Sequence, residues 1–105
     1  RGRHLENVVF IELKRRGKEI YYHKEKKEID FILKDGLNIV QVIQVSKSLE
    51  NEETKKREIA GLIDACKTHK LQKGLILTED EDFKFQEEEI LIQVLPIWKW
   101  LLLEQ

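Results

Sequence analysis

Two short apolar segments decide the fold: Glu28-Ile29-Asp30-Phe31-Ile32-Leu33 and, beyond a turn, Val42-Ile43-Gln44-Val45-Ser46. Both are typical of β-strands, in which successive side chains point to opposite faces. The first strand carries Asp30, and the second carries Gln44 and Ser46 on one face. The two segments therefore predict a hairpin with polar side chains where apolar ones are expected.

The pairing of this hairpin decides whether its polar residues meet. Asp35-Gly36 is a turn signal, and a two-residue turn would leave Asp30 and Gln44 on opposite faces. A loop of three or five residues, or a β-bulge, would place Asp30 opposite Val42 and diagonal to Gln44. A site that uses both residues demands the second arrangement, and a tight turn without a bulge would exclude it.

The remaining pattern predicts an α/β fold with a mixed sheet. A helix over residues 3–16 ends at Gly17, and a second helix is capped within residues 48–51 and runs to about residue 69. A third helix starts at Pro96. The predicted strands cover residues 18–23, 28–34, 37–46, 73–78, 83–85 and 90–94, the last two as edge strands. Strand 37–46 is apolar on both faces and therefore central, and the helix after it predicts a right-handed crossover to a parallel strand.

Composition narrows the class of protein. The 105 residues suffice for one domain over residues 1–105, and a net charge of -1 gives no global basic field. Cys66, the single cysteine, excludes an internal disulfide and favours a reducing, cytoplasmic location. No apolar run reaches the roughly 18 residues of a membrane span, so no membrane partner is expected. The chain lacks Met and opens on Arg-Gly, which predicts a fragment of a longer protein.

Glu6 is a candidate site residue because it shares a helix face with Val9, Phe10 and Leu13. A carboxylate there needs a cation, a metal or hydrogen-bond donors; the alternative is a helix-end glutamate that reaches water.

Asp30 and Gln44 also have structural alternatives. Asp30 could form an ion pair with a basic residue of the 14–27 region, and Gln44 could bond backbone at a strand end. Cys66 lies on a predicted buried helix stripe and is interpreted as a packing residue.

The order helix, three antiparallel strands, helix and parallel strand resembles the core of the PD-(D/E)XK nucleases, the restriction endonuclease-like fold. In that family two carboxylates hold Mg²⁺, which polarises the scissile phosphate and helps to create hydroxide. A lysine beside them, in an E-x-K motif on one strand, stabilises developing charge or orients the water.

The chain resembles more closely, over essentially its whole length, the C-terminal domain that follows the ATPase module in archaeal and bacterial AAA+-type ATPases. The resemblance implies that an N-terminal ATPase domain, the only part expected to bind ATP, precedes Arg1. The matching segments are Gly2 to Phe10, Leu13 to Gly17, Glu28 to Phe31, Ile43 to Ser46, Glu53-Thr54, Arg57-Glu58 and Val94 to Trp100.

The nuclease resemblance assigns four positions. Glu6 would be the helix acid, Asp30 the strand acid, Gln44 the first residue of E-x-K, and Ser46 its lysine. The last two depart from the pattern, because Gln44 brings no charge and Ser46 is an uncharged donor.

Substitutes for the lysine, and a metal site, follow from the same resemblance. Lys47 points to the opposite face of a regular strand, whereas Lys55 or Lys56 of the next helix could reach the site. Glu6, Asp30 and Gln44 would bind Mg²⁺ or Mn²⁺ weakly.

A basic cluster near the N-terminus is the candidate for nucleic-acid contacts. Because Glu19 and Glu25 interrupt it, a solvated charged face is the alternative. The candidate residues are Lys14, Arg15, Arg16, Lys24, Lys26 and Lys27.

Together these observations predict a nuclease-like domain that belongs to an ATPase. The domain itself is predicted to be catalytically degenerate and to serve nucleic-acid binding or docking. The alternatives are an active Mg²⁺- or Mn²⁺-dependent DNA endonuclease, which is a metal-dependent phosphodiesterase, and a domain for protein interaction alone. The expected partners are the N-terminal ATPase domain and DNA. Trp98 and Trp100 do not fit one core together, so one of them is a candidate contact to another domain or to a second copy in a homodimer.

Overall fold

Six strands form one mixed sheet with helices on both faces in the computed structural model of the chain, which describes residues 2–21 and 29–103. The nine elements confirm the predicted α/β class. In chain order they are α1 (Gly2–Arg15), β1 (Glu19–Tyr21), β2 (Phe31–Asp35), β3 (Asn38–Val45), α2 (Glu52–Thr68), β4 (Lys73–Thr78), β5 (Phe83–Glu87), β6 (Ile90–Pro96) and α3 (Ile97–Leu102).

The strand order across the sheet is β1-β2-β3-β4-β6-β5. Strands β3, β4 and β6 are parallel to one another, and the other pairs are antiparallel. The central position of β3 and its parallel partner β4 are confirmed. The prediction that β6 lies at an edge is wrong: Val94 and Leu95 are both buried on opposite faces, which is the same two-sided apolar pattern that makes β3 central.

Each face of the sheet has its own core. On one face α2 buries Ile59, Leu62, Ile63 and Cys66, as its predicted stripe requires. On the other face α1 and α3 pack around a cluster that includes Trp100. None of the described helices combines the length and the apolar character needed to cross a lipid bilayer.

Local sequence signals set the helix ends. Gly17, with φ of 75°, follows the last turn of α1, and the Asn51 side chain accepts a hydrogen bond from the Thr54 N–H at the start of α2. The predicted limits of both helices therefore agree with the structure. The predicted strands at residues 18–23 and 28–34 are described only at Glu19–Tyr21 and Phe31–Asp35, because residues 22–28 lie outside the described ranges.

The β2–β3 hairpin combines a tight turn with a bulge. At the turn Asp35 pairs with Asn38, and Gly36 adopts φ of 68°, a conformation that glycine tolerates. Between Leu33 and Lys34 the pairing then shifts by one residue. The irregularity that a shared site demands is present.

This shift decides what faces Asp30. Beyond the bulge Ile32 pairs with Val42, so continuing the register brings Asp30 level with Gln44. The predicted pairing of Asp30 with Val42 is wrong by two residues along β3. The bulge, with Val40 as its extra residue, was an expected possibility, but the turn lies at Gly36-Leu37, with Asp35 opposite Asn38, and not at Asp35-Gly36.

Candidate functional site

Asp30 is attached to the end of β3 by two hydrogen bonds. Its backbone N–H donates to Oε1 of Gln44 at 2.9 Å, and its Oδ2 accepts from the backbone N–H of Val45 at 2.7 Å. Gln44 is buried, with 2% of its surface exposed, and Asp30 is half-buried. The structure thus brings together the two hairpin residues that the sequence singled out.

Glu58 of α2 joins this pair, although it is not among the site residues predicted from the sequence. Nε2 of Gln44 donates to Oε1 of Glu58 at 2.8 Å, and the Arg57 guanidinium lies 3.9 Å from Oε2 of Glu58. A signal was available, because Glu58 lies four residues before Leu62 and so borders the buried face of α2. Glu6 lies beside the buried face of α1 by the same helical spacing, three residues before Val9.

Negative charge accumulates around Asp30. Burial is the largest cause that raises the pKa of Asp30 to about 7; the charges of Glu6 and Glu58 and a hydrogen bond with the Glu6 carboxyl group act in the same direction. The hydrogen bond from Val45 opposes the rise. Burial also raises the pKa of Glu58, against the effects of Arg57 and Gln44. At neutral pH the Asp30 carboxyl group is therefore only partly ionised.

The groups predicted to replace the lysine point elsewhere. The Ser46 hydroxyl donates to the backbone oxygen of Ser48 at 3.1 Å, and the Lys47 side chain is exposed. The Lys55 ammonium lies 5.5 Å from the centroid of the Phe83 ring, and Lys56 lines a groove beside the β5–β6 hairpin. Among the described residues these lysines make no ion pair with the carboxylates around Gln44.

The described contacts do not favour the predicted site for Mg²⁺ or Mn²⁺, which stays a prediction. Within the described ranges, no three or more His, Cys, Asp or Glu side chains are placed to hold a metal ion together. The Oε1 atom of Gln44, predicted as a neutral ligand, accepts the Asp30 N–H instead. Glu6, Asp30 and Gln44 thus belong to one network of hydrogen bonds within the protein.

Arg16, predicted as a nucleic-acid contact, lies between α1 and α3, and 6% of its side chain is exposed. Its guanidinium donates to the backbone oxygens of Trp100 at 2.9 Å and Leu103 at 3.0 Å. It also lies 4.5 Å from the centroid of a Trp100 ring. Contacts inside the protein therefore replace the predicted contact of Arg16 with nucleic acid.

Glu12 completes this second network. It accepts hydrogen bonds from Arg15 at 3.0 and 2.7 Å and from Arg16 at 2.7 Å. These bonds lower the pKa of Glu12 to about 2. Lys14 and Arg15 remain exposed at the end of α1.

The other basic candidates lie outside the described residues, so their role stays a prediction. They are Lys24, Lys26 and Lys27.

Comparison with known families finds a match over residues 1–100 to DUF4143, a domain of unknown function. Domains of this family are typically the C-terminal part of AAA-type ATPases. The chain is also 41% identical, over 113 aligned residues, to the uncharacterised protein MJ1544 of Methanocaldococcus jannaschii. That alignment covers 97% of the chain and 25% of the relative, so the chain spans a quarter of the curated relative's length. No solved structure gives a significant match.

Proposed function

The chain belongs to the DUF4143 family, and from that premise we propose that it is a nuclease-like module of an ATPase that has lost most or all of its catalysis and serves nucleic-acid binding or docking. The parent chain would supply ATP binding and hydrolysis in a domain other than this one.

The observation that carries the proposal is the way the Gln44 amide is held. A metal-dependent nuclease needs oxygen atoms that are free to bind Mg²⁺ and a cation beside them. In this chain one end of the amide accepts the Asp30 N–H and the other donates to Glu58. The hydroxyl of Ser46, at the position of the lysine, is bonded to Ser48. These contacts support the interpretation that Gln44 and Ser46 stabilise the fold and no longer take part in catalysis.

Support for a nuclease-like origin comes from the arrangement of the elements. Helix α1, three antiparallel strands, α2 and a parallel strand follow one another in the order of the nuclease core. The acid of α1, Glu6, lies close enough to Asp30 to raise its pKa. Two acids on these two elements are what the resemblance implies.

An active enzyme is the second candidate, and one observation favours it. Three carboxylates, those of Glu6, Asp30 and Glu58, interact within one cluster, and perturbed acids concentrate at functional sites. In that case Glu58 would supply the charge that Gln44 lacks.

A plasmid-cleavage assay separates the two candidates. Supercoiled DNA is incubated with Mn²⁺ and the wild-type chain, the Asp30→Asn variant or the exposed control variant Asp80→Asn. We expect no nicking that depends on Asp30. Nicking by the wild type and by Asp80→Asn that Asp30→Asn abolishes would establish the active enzyme and overturn the proposed loss of catalysis.

Binding is tested separately from cleavage, in metal-free buffer with labelled single- and double-stranded oligonucleotides. We expect an affinity that falls steeply with salt, because cationic contacts to phosphates release counterions. If neither oligonucleotide binds at low salt, the nucleic-acid role is lost, and docking on the ATPase is the role that remains.

A further inference from the structure

The described residues leave part of the sheet face that packs against α1 and α3 uncovered. On this face Leu75 and Leu95 are buried, whereas six neighbouring side chains on β3, β4, β6 and β5 stay at least partly accessible. We call these six residues the open face. They are Gln41, Lys73, Lys84, Gln86, Leu91 and Gln93.

Strand pairing arranges five of these six residues in two rows, and Gln41 lies outside them on β3. In the first row Lys84 pairs with Gln93, which pairs with the buried Leu75. In the second row Gln86 pairs with Leu91, which pairs with Lys73. With usual strand spacings, the backbones at Lys73 and Lys84 lie about 12 Å apart, two strands across and two residues along.

The β5–β6 hairpin carries Lys84 on the open face and its acidic residues Glu87 and Glu88 on the side of α2. Glu87 and Glu88 line a groove against α2 on the other face, and Glu88 forms an ion pair with Lys67 of α2. The two described rows of the open face contain no carboxylate, and both of their charged residues are lysines. In a chain with 20 acidic and 19 basic residues, this makes the open face locally cationic.

We propose that the open face is a docking surface for a nucleic-acid strand, with Lys73 and Lys84 on phosphates and the amides of Gln41, Gln86 and Gln93 on phosphate, sugar or base edges. Lysine is a point charge suited to phosphate, and side-chain amides offer both donors and acceptors. This inference rests on the proposed nucleic-acid role, and it assigns that role to a surface separate from the Asp30 cluster and from the basic residues near the N-terminus.

The test measures binding of a labelled 20-nucleotide single strand by fluorescence anisotropy over a series of salt concentrations. The double variant Lys73→Glu/Lys84→Glu should weaken binding at least tenfold and reduce the slope of log affinity against log salt by about 1.4, at about 0.7 per phosphate contact of a single strand. The matched control Lys56→Glu/Lys70→Glu makes the same change in net charge on the α2 side. It should weaken binding less than threefold.

Other variants separate the ways in which the inference can fail. Lys73→Gln/Lys84→Gln, which only neutralises the two lysines, should give a smaller loss in the same direction with an unchanged circular dichroism spectrum. Equal losses in the open-face and control variants would overturn the inference, as would a loss confined to Lys14→Glu/Arg15→Glu; in both cases the proposed nucleic-acid role stands. Binding of poly-glutamate but of no oligonucleotide would overturn both and reassign the surface to an acidic protein.

Discussion

Glu12 and Asp30 are two acids in opposite surroundings. Glu12 receives three hydrogen bonds from Arg15 and Arg16, and its pKa falls to about 2. Burial, followed by the charges of Glu6 and Glu58, raises the pKa of Asp30 to about 7. The two carboxylates differ in the sign of the charge around them.

This difference separates a packing role from a candidate functional role. The Glu12 network satisfies its charges and fastens α1 to α3 through Arg16. The Asp30 network keeps like charges together, which costs stability at neutral pH and is typical of sites arranged for chemistry or binding. Four substitutions test the contrast, in order of decreasing effect.

Gln44→Glu should exaggerate the contrast most. It adds a further buried carboxylate and removes the donor to Glu58, so the free energy of unfolding at pH 8 should fall by about 4 kcal/mol. Urea unfolding at pH 8 and pH 4.5 checks this, because protonation at the lower pH should recover much of the loss. The exposed Gln93→Glu variant is the control. Equal losses of stability in both variants would show that a carboxylate costs no more in the Asp30 network than at an exposed position.

Arg16→Ala should disrupt the Glu12 network. It removes two hydrogen bonds to backbone oxygens and the stacking on Trp100, so thermal and urea unfolding should show a loss of about 3 kcal/mol. Arg15→Ala, whose side chain is 69% exposed, should cost less than about 1 kcal/mol. Similar costs for the two arginines would contradict the assigned packing role of Arg16.

Asp30→Asn should relieve the like-charge cluster. Because the folded pKa of about 7 lies above the ordinary value of 3.8, the folded state binds the extra proton, and this stabilisation is complete below pH 4 and lost as the pH rises to about 7. Relative to the wild type, the variant should therefore gain on the order of 2 kcal/mol at pH 8 and nothing at pH 4. Asp80→Asn should show no such pH dependence, and a flat difference between pH 4 and 8 for Asp30→Asn would rule out the raised pKa.

Glu6→Gln should sharpen the comparison by the smallest amount. It removes one of the two nearby negative charges, so the pKa of Asp30 should fall by about one unit. Carboxyl chemical shifts followed by NMR during a pH titration measure this directly, with Glu52→Gln as the exposed control. An unchanged Asp30 titration would mean that Glu6 does not contribute to the raised pKa of Asp30.

Features that depend on neighbouring residues were predictable from the sequence. The cap at Asn51, the buried stripe of α2 and the strand Lys73–Thr78 all follow from local signals and agree with the structure. The interior position of β6 and the register at Asp30 depend on partners that are distant in the chain, and both predictions needed correction.

The candidate site shows the same division. The periodicity of each separate segment is enough to place Glu6, Asp30 and Gln44 on faces that turn towards the candidate site. Contacts between elements add Glu58 to the site and bury Arg16 against α3. The spacing of residues within one helix does not show that Glu58 meets Gln44 or that Arg16 meets Trp100.

The extra residue of the β2–β3 bulge makes the site sensitive to chain length as well as to composition. Losing one residue between Asp30 and Gln44 would shift the pairing of the two strands by one residue and turn one of these side chains to the opposite face of the sheet. The site would then be lost although all of its residues remain in the sequence. An alignment of relatives that opens a single gap in this hairpin would therefore equate side chains from opposite faces. Among family members, the count of residues from aspartate to glutamine carries as much information about the site as the identity of either residue.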